Sequence, residues 1–428
     1  MEGLMQNPDQ AEQNEITDEE IDSKICGELM DKVEQLNEYV NDVQGEQIIQ
    51  VRVQQLALCK VLVNIHKKDM FILVKAYCSL GEAYLSQKYY EQALDHLTNA
   101  LKLNGTLFSQ FEETKKFHAY ILTLLGKCYM EAGSLNDALG LLEKSLKMNK
   151  TVLGEEDISN ASIYLTLSKV YSKKKDYDKA LNQLSKAWEL TETKFGKDSI
   201  EIAQVYIDMA KVYHKKKEYE EAIEHQLHAV NNFRNREEDY NQESTAKMMI
   251  TLSEWYSKVE KHEDAITWLR ETEKLYEYIY GGLDKKTTKI KRDIALLLLK
   301  DGKYDDALEE VLQVEEKERQ LYGETSLQLG KTYKLIGTLY ILRRMQNEAK
   351  AYLQKAQTIF ELKGATKLLK EVKTKLNMAK NGSRMDHQLA GEEHTDEEES
   401  NKKLKKKKKK GVSKSKKKKT IIRNNFMG

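Results

Sequence analysis

The chain has 428 residues, with 70 Lys+Arg against 69 Asp+Glu, 40% hydrophobic residues and a single proline, Pro8. One proline and 21 glycines exclude collagen-like, polyproline and turn-rich β architectures. The longest purely apolar run, Ile294–Leu299, is far short of the roughly 20 residues of a membrane span.

No basic-then-apolar leader opens the sequence. Cys26, Cys59, Cys78 and Cys128 show neither CxxC spacing nor the density of a disulfide framework. A soluble, helix-rich protein of a reducing, cytoplasmic compartment is expected. The near-zero net charge hides segregation. Residues 1–23 hold eight acids and no base, residues 392–399 hold six acids, and residues 402–423 hold thirteen Lys and Arg423. Residues 24–391 are therefore close to balanced.

In chain order, residues 1–23 are expected to be a disordered acidic arm. Residues 24–73 read as N-terminal helices. Ile25, Leu29, Val33, Leu36 and Val40 form one stripe, followed by an apolar run from Leu56 to Ile65. Two readings stay open for this stretch: a degenerate leading repeat, or a partner-binding helix.

Residues 74–364 repeat. Seven segments share a small residue and, in all but one, a Tyr three positions on, as in Leu80-Gly81…Tyr84, Leu125-Gly126…Tyr129, Leu167-Ser168…Tyr171 and Met209-Ala210…Tyr213. Leu252-Ser253…Tyr256, Ile294-Ala295…Leu298 and Ile336-Gly337…Tyr340 complete the set. An alanine follows each at 93, 138, 180, 222, 265, 307 and 349, so the steps are 45, 42, 42, 43, 42 and 42 residues. The pattern predicts helical hairpins. The small residue admits a neighbouring helix, a polar turn such as Lys173-Lys174-Lys175-Asp176 reverses the chain, and the alanine opens the second packing face. One hairpin cannot bury its own face, so neighbours stack.

Between repeats, Leu153-Gly154, Phe195-Gly196, Tyr280-Gly281 and Tyr322-Gly323 predict a glycine in the left-handed region closing each second helix. Periodicity resets every 42 residues or so, which excludes a coiled coil. At the far end Leu368, Leu369, Val372 and Leu376 predict a capping helix over residues 365–380. Residues 381–428 are expected to be a disordered tail, acidic and then lysine-rich.

This grammar resembles the tetratricopeptide repeat, without its usual first Trp and with a step of about 42 rather than 34 residues. The longer step is similar to that of kinesin light chains. The resemblance implies an all-α, right-handed superhelical solenoid of tetratricopeptide-type hairpins, with the first helix of each hairpin lining a concave groove.

No GxGxxG, P-loop, HExxH or nucleophile elbow is present. His225 and His228 stand three apart and lack a third ligand nearby. The cysteines read as core fillers. No catalysis, cofactor, metal or small-molecule substrate is expected. Binding is the default activity of a solenoid.

Two lysine ladders are candidates for a peptide groove: Lys127, Lys169 and Lys211 in one register, and Lys247, Lys289 and Lys331 in another. Together they favour an acidic or carboxylate-ended peptide, with Tyr120, Leu165, Ile207 and Ile250 as an apolar ridge. The alternative is ordinary solvated lysine. The triplets at 173–175 and 215–217 read as cations complementing helix C-termini, or as a basic ridge. In the tail, Lys405, Lys406, Lys407, Lys408, Lys409, Lys410, Lys416, Lys417, Lys418 and Lys419 form a polycationic arm. Such an arm suits acidic tubulin tails, other polyanions or a nuclear import receptor.

More narrowly, the chain resembles the tetratricopeptide repeat protein 23 family over roughly residues 45–380. The carriers are Leu56-Ala57-Leu58-Cys59 through Leu80-Gly81-Glu82-Ala83-Tyr84-Leu85, His118…Leu125-Gly126, Leu141-Leu142-Glu143-Lys144, and Tyr322-Gly323-Glu324-Thr325-Ser326 with Thr332…Gly337. That resemblance implies a scaffold or adaptor of ciliary assembly, transport or signalling, located at the cilium or its base. A kinesin-light-chain-like cargo adaptor, or a chaperone or nuclear scaffold, remains the alternative.

Overall fold

A computed structural model describes residues 18–65, 70–108, 112–234 and 242–381. Two helices come first, α1 (Asp18–Tyr39) and, after a single 3-10 turn, α2 (Glu46–Ile65). Fourteen helices of the repeats follow. They are α3 (Met70–Ser86) paired with α4 (Tyr90–Leu107), α5 (Glu112–Ala132) with α6 (Leu135–Leu153), α7 (Ser159–Lys174) with α8 (Tyr177–Phe195), then α9 (Ile200–Lys216), which ends the first unit, and α10 (Tyr219–Arg234), which opens the second. The series continues with α11 (Gln242–Lys258) and α12 (His262–Tyr280), α13 (Lys285–Lys300) and α14 (Tyr304–Tyr322), α15 (Leu327–Leu342) and α16 (Gln346–Leu362), and ends at α17 (Thr366–Asn381). Among the described residues there is no strand. The chain divides into two compact units, residues 1–216 and 217–428, with the division in the turn between α9 and α10.

The repeated alanines are the fixed points of the hairpins. All seven are fully buried. Each also closes the first turn of its helix: Ala93 N–H donates to the Tyr89 carbonyl, Ala138 to Ser134, Ala180 to Asp176, Ala222 to Glu218, Ala265 to Lys261, Ala307 to Lys303 and Ala349 to Met345, at 3.0–3.2 Å. The first-helix glycines have an equally definite partner. A Cβ on Gly81, Gly126 or Gly337 would lie 2.6–2.7 Å from Cγ of Leu97, Leu142 or Leu353, the leucine four residues after the repeat's alanine. Glycine is therefore required by close helix approach. The tyrosine three residues on seals the pair: Tyr84 stacks on His96 with centroids 5.3 Å apart, and Tyr340 stacks on Tyr352 at 5.7 Å.

Five hairpin turns are Schellman closures. In the first hairpin Tyr89 N–H bonds the Tyr84 carbonyl and Lys88 N–H bonds Leu85. The same pair of bonds recurs at Ser134/Gly133, Asp176/Lys175, Lys303/Gly302 and Met345/Arg344. Positive φ marks the corresponding position after every first helix, at Lys88, Gly133, Lys175, Lys217, Glu260, Gly302 and Arg344. Between hairpins the geometry differs from the expected left-handed helical closure. Gly154, Gly196, Gly281 and Gly323 take φ of 81–97° with ψ of 162–166°. This extended positive-φ region is essentially closed to any other residue.

Two sequence expectations shift. First, α1 begins at Asp18, inside the expected acidic arm, and its buried positions are Cys26 and Val33, with Ile25 exposed. The stripe is thus offset by one residue at its start. Second, α2 is long and apolar enough to cross a membrane by length and composition, which the apolar-run reading missed because Gln50, Arg52, Gln54, Gln55 and Lys60 interrupt the sequence. In the fold, Ile49, Leu56, Cys59 and Leu62 of α2 are buried in one core with α1 and α3.

The second unit carries charge in its interior. Lys291 on α13 pairs with Glu273 of α12 at 2.7 Å and lies 3.7 Å from Glu310 of α14, and Arg270 pairs with both carboxylates. Two cations and two anions balance, so none is left uncompensated in a desolvated setting. Arg292 pairs with the buried Glu318, which also accepts from the Thr332 hydroxyl at 2.5 Å. α17 packs on this unit through Val372, Leu376 and Ala379.

Candidate lysine face and clefts

In the first unit, α5, α7 and α9 present charged residues in a regular grid. Lys127, Lys169 and Lys211 each follow the small packing residue, Gly126, Ser168 or Ala210. Four residues further, one turn along the same face, stand Glu131, Lys173 and Lys215. Two clefts open along this face, the larger bounded by the α3–α4 turn, α5 and α7 and the smaller by α5, α7 and α9. One, of about 400 Å³, is lined by Lys88, Lys127, Glu131 and Lys169 among others. The second, about 190 Å³, is lined by Glu131, Lys169, Lys173, Asp208, Lys211 and Lys215, with Ser168 and Ser172.

Asp208 organises the second cleft. Its carboxylate is only 6% exposed; Lys169 Nζ forms an ion pair with Oδ2 and Lys211 Nζ donates to Oδ1, both at 3.1 Å. Lys173 pairs with Glu131 at 3.0 Å and donates to the Met130 carbonyl at 3.3 Å. Lys215 donates to the Ser172 hydroxyl at 2.8 Å. Burial pushes the Lys215 ammonium below its ordinary pKa, and the neighbouring Lys173 and Lys211 push it the same way. Burial also lowers Lys127, with Glu82 opposing and Lys169 adding to the effect.

The first ladder thus comes together as one surface, and the triplets split in role. Lys173 and Lys215 belong to the cleft, Lys174 and Lys216 reach Asn136 and Asp178, and Lys175 and Lys217 supply the turn. The second ladder, in the second unit, is of another kind. Lys247 pairs with Glu243 at 3.0 Å and Lys289 with Asp293 at 3.5 Å, each on its own helix, while Lys331 is half-buried on α15.

The four apolar candidates do not share one position. Leu165, Ile207 and Ile250 each stand three residues before their small residue, Ile250 in the second unit, whereas Tyr120 stands six before Gly126. Tyr120 donates to Glu82 at 3.1 Å and lines a separate groove of about 460 Å³ with Met30, Val33, Ile72 and Phe117. Sequence reasoning missed Asp208 and Glu131, while Lys173 and Lys215 stood only within the triplets read as helix-end cations or a basic ridge. Asp208 shares its repeat position with Asp293, two residues before Ala210 and Ala295 respectively, so the repeat pattern does not mark Asp208 as the acid that joins two helices. The tail lysines and the acidic run at 392–399 lie outside the described residues.

Other candidates resolve plainly. All four cysteines are buried and unpaired with one another. Burial raises the thiol of Cys59 to about 11 and those of Cys78 and Cys128 to about 12. Burial lowers the His225 imidazole below its ordinary pKa. Among the described residues no group of three or more His, Cys, Asp or Glu is placed to hold a metal ion.

No curated protein matches the chain. Solved structures of similar fold exist. A signal-transduction ATPase with a tetratricopeptide repeat sensor from Pyrococcus horikoshii aligns with a TM-score of 0.50 and 14% identity, over 84% of this chain and 56% of that one. BtubC from P. vanneervenii aligns with a TM-score of 0.49 and 18% identity, over 55% of this chain and 92% of its own. A Rap protein in complex with competence and sporulation factor gives 0.39 and 13%, over 86% and 99%. At these identities the likeness concerns the fold alone. Tetratricopeptide repeat family models match residues 117–193, 201–277 and 287–361, each spanning two consecutive hairpins, and a second such model matches residues 74–107. With more than half of its length matched and the hairpins closed as described, the chain belongs to the tetratricopeptide repeat proteins.

Proposed function

We propose that this chain is a non-enzymatic interaction scaffold that holds an acidic segment of a partner protein on the lysine face of α5, α7 and α9. The observation that carries the reading is the excess of ammonium groups there. Lys88, Lys127, Lys169, Lys173, Lys211 and Lys215 line the two clefts, against the lining acids Glu131 and Asp208 and the nearby Glu82 beside Lys127. Opposed charge of this kind speeds encounter and rejects basic partners. The excess lies in the first unit. In the second, Lys247 and Lys289 have acids on their own helices and offer less to a ligand.

The setting we propose is ciliary assembly, transport or signalling, in the cytoplasm at the cilium or its base, which the resemblance to the tetratricopeptide repeat protein 23 family supports. Proximity labelling in ciliated cells tests both halves, comparing the full chain with a Lys127→Gln/Lys173→Gln/Lys215→Gln variant. Ciliary proteins should be enriched by the former and depleted with the latter. Enrichment of motor, chaperone or nuclear proteins would refute the setting, and identical partner sets from both chains would refute the site.

A further inference from the structure

The smaller cleft is more specific than a basic surface. Its four lysines are offset by two carboxylates, which leaves a formal charge of about +2 once every lysine is protonated. Its floor is built from buried polar groups: Asp208, Ser168 and Ser172 are all at most 5% exposed. Asp208 holds Lys169 and Lys211 with its two oxygens and so fixes both ammonium groups at the cleft. Lys173 and Lys215 stand one turn further along α7 and α9, about 6 Å on by helical rise. The four ammonium groups therefore come from two neighbouring helices at two levels, an arrangement suited to an anion with several oxygens.

We propose that this cleft is a phosphate subsite and that it takes a phosphorylated serine or threonine side chain of the partner. The inference rests on the lysine face being the partner site, and it names the chemistry of the group bound there. A phosphomonoester carries about −1.5 to −2 at neutral pH with three acceptor oxygens, which balances the cleft. A carboxylate would leave about half of the excess charge uncompensated. Lysine serves as a point-charge binder of phosphate. The space of about 190 Å³ accommodates one such group and not a folded segment. The lowered pKa of Lys215 fits the same picture, because a dianion would offset the repulsion from Lys173 and Lys211 that adds to desolvation there and that Asp208 only partly opposes.

The test is residue-resolved lysine acetylation, read by mass spectrometry on the full chain. The probes are inorganic phosphate, acetate, octaglutamate, and the pentapeptide Gly-Gly-Ser-Gly-Gly with and without phosphate on its serine. The expected result is at least three-fold protection of Lys169, Lys173, Lys211 and Lys215 by the phosphopeptide. Neither acetate nor the plain peptide should protect at equal ionic strength, and Lys173→Gln/Lys215→Gln should abolish the effect on the two remaining lysines. Equal protection by acetate, or protection confined to Lys402–Lys419, would overturn the subsite. Protection by inorganic phosphate without the phosphopeptide would overturn the partner side chain as its source. Octaglutamate protecting the cleft while both phosphates fail would overturn the subsite and leave the acidic-partner reading intact. Failure of all probes would remove both.

Discussion

Glycine acts in opposite ways at positions only fourteen residues apart. Gly126 faces Leu142 so closely that an added Cβ would sit 2.7 Å from its Cγ, whereas nothing lies within 4 Å of a Cβ on Gly140. Gly126→Ala should therefore cost about 1–3 kcal/mol by overpacking. Gly140→Ala, on the open side of α6, should gain up to about 1 kcal/mol from helix propensity. Urea denaturation of the two variants checks both signs. The hairpin turns offer a second contrast. Lys175 occupies φ +68° without the freedom of glycine. A left-handed non-glycine residue is strained by about 1–2 kcal/mol, and glycine forfeits about 0.5–1 kcal/mol in chain entropy. Lys175→Gly should thus raise stability by up to about 1 kcal/mol, and an unchanged or lower denaturation midpoint would contradict the strain assigned to that turn.

At the scale of the element, helix pairing was legible because close approach leaves a sequence mark. Gly81, Gly126 and Gly337 stand opposite Leu97, Leu142 and Leu353, and each pair recurs at a fixed offset from its alanine. The start of α1 was less legible. Ile25 and Cys26 both suit an apolar stripe, and only packing against α2 and α3 decides for Cys26. The conformation of Gly154, Gly196, Gly281 and Gly323 was half legible: positive φ follows from the residue type, while the extended ψ depends on how the next hairpin enters. Burial of cysteines on α2, α3 and α5 has a measurable consequence. Their folded pKa values stand at about 11 to 12, above the ordinary 9.0, so the unfolded chain releases these protons first as pH rises. Their contribution to stability is complete below pH 9 and is lost between about pH 9 and 12. A Cys59→Ala/Cys78→Ala/Cys128→Ala variant should show a shallower decline in unfolding free energy across that window. An identical pH slope would show that other groups control alkaline unfolding.

For the whole molecule, the sequence showed that lysines recur at a 42-residue step, but not which of them remain available to a ligand. The acids at i−4 of Lys247 and i+4 of Lys289 were visible in the spacing and tie up the second ladder locally. Asp208 has a counterpart in Asp293 at the same repeat position, and periodicity alone does not show that Asp208 joins Lys169 and Lys211 across two helices and makes a cleft of the first ladder. The lysine-rich tail supplies a competing cationic surface elsewhere in the chain, so a binding experiment has to separate the two. The most direct one measures octaglutamate affinity by fluorescence anisotropy for three full-length chains: the native sequence, Lys127→Gln/Lys173→Gln/Lys215→Gln, and Lys416→Gln/Lys417→Gln/Lys418→Gln. Circular dichroism confirms equal helicity in all three. The lysine face as partner site predicts at least a ten-fold loss of affinity in the first variant and less than a three-fold change in the second; the reverse order would contradict it.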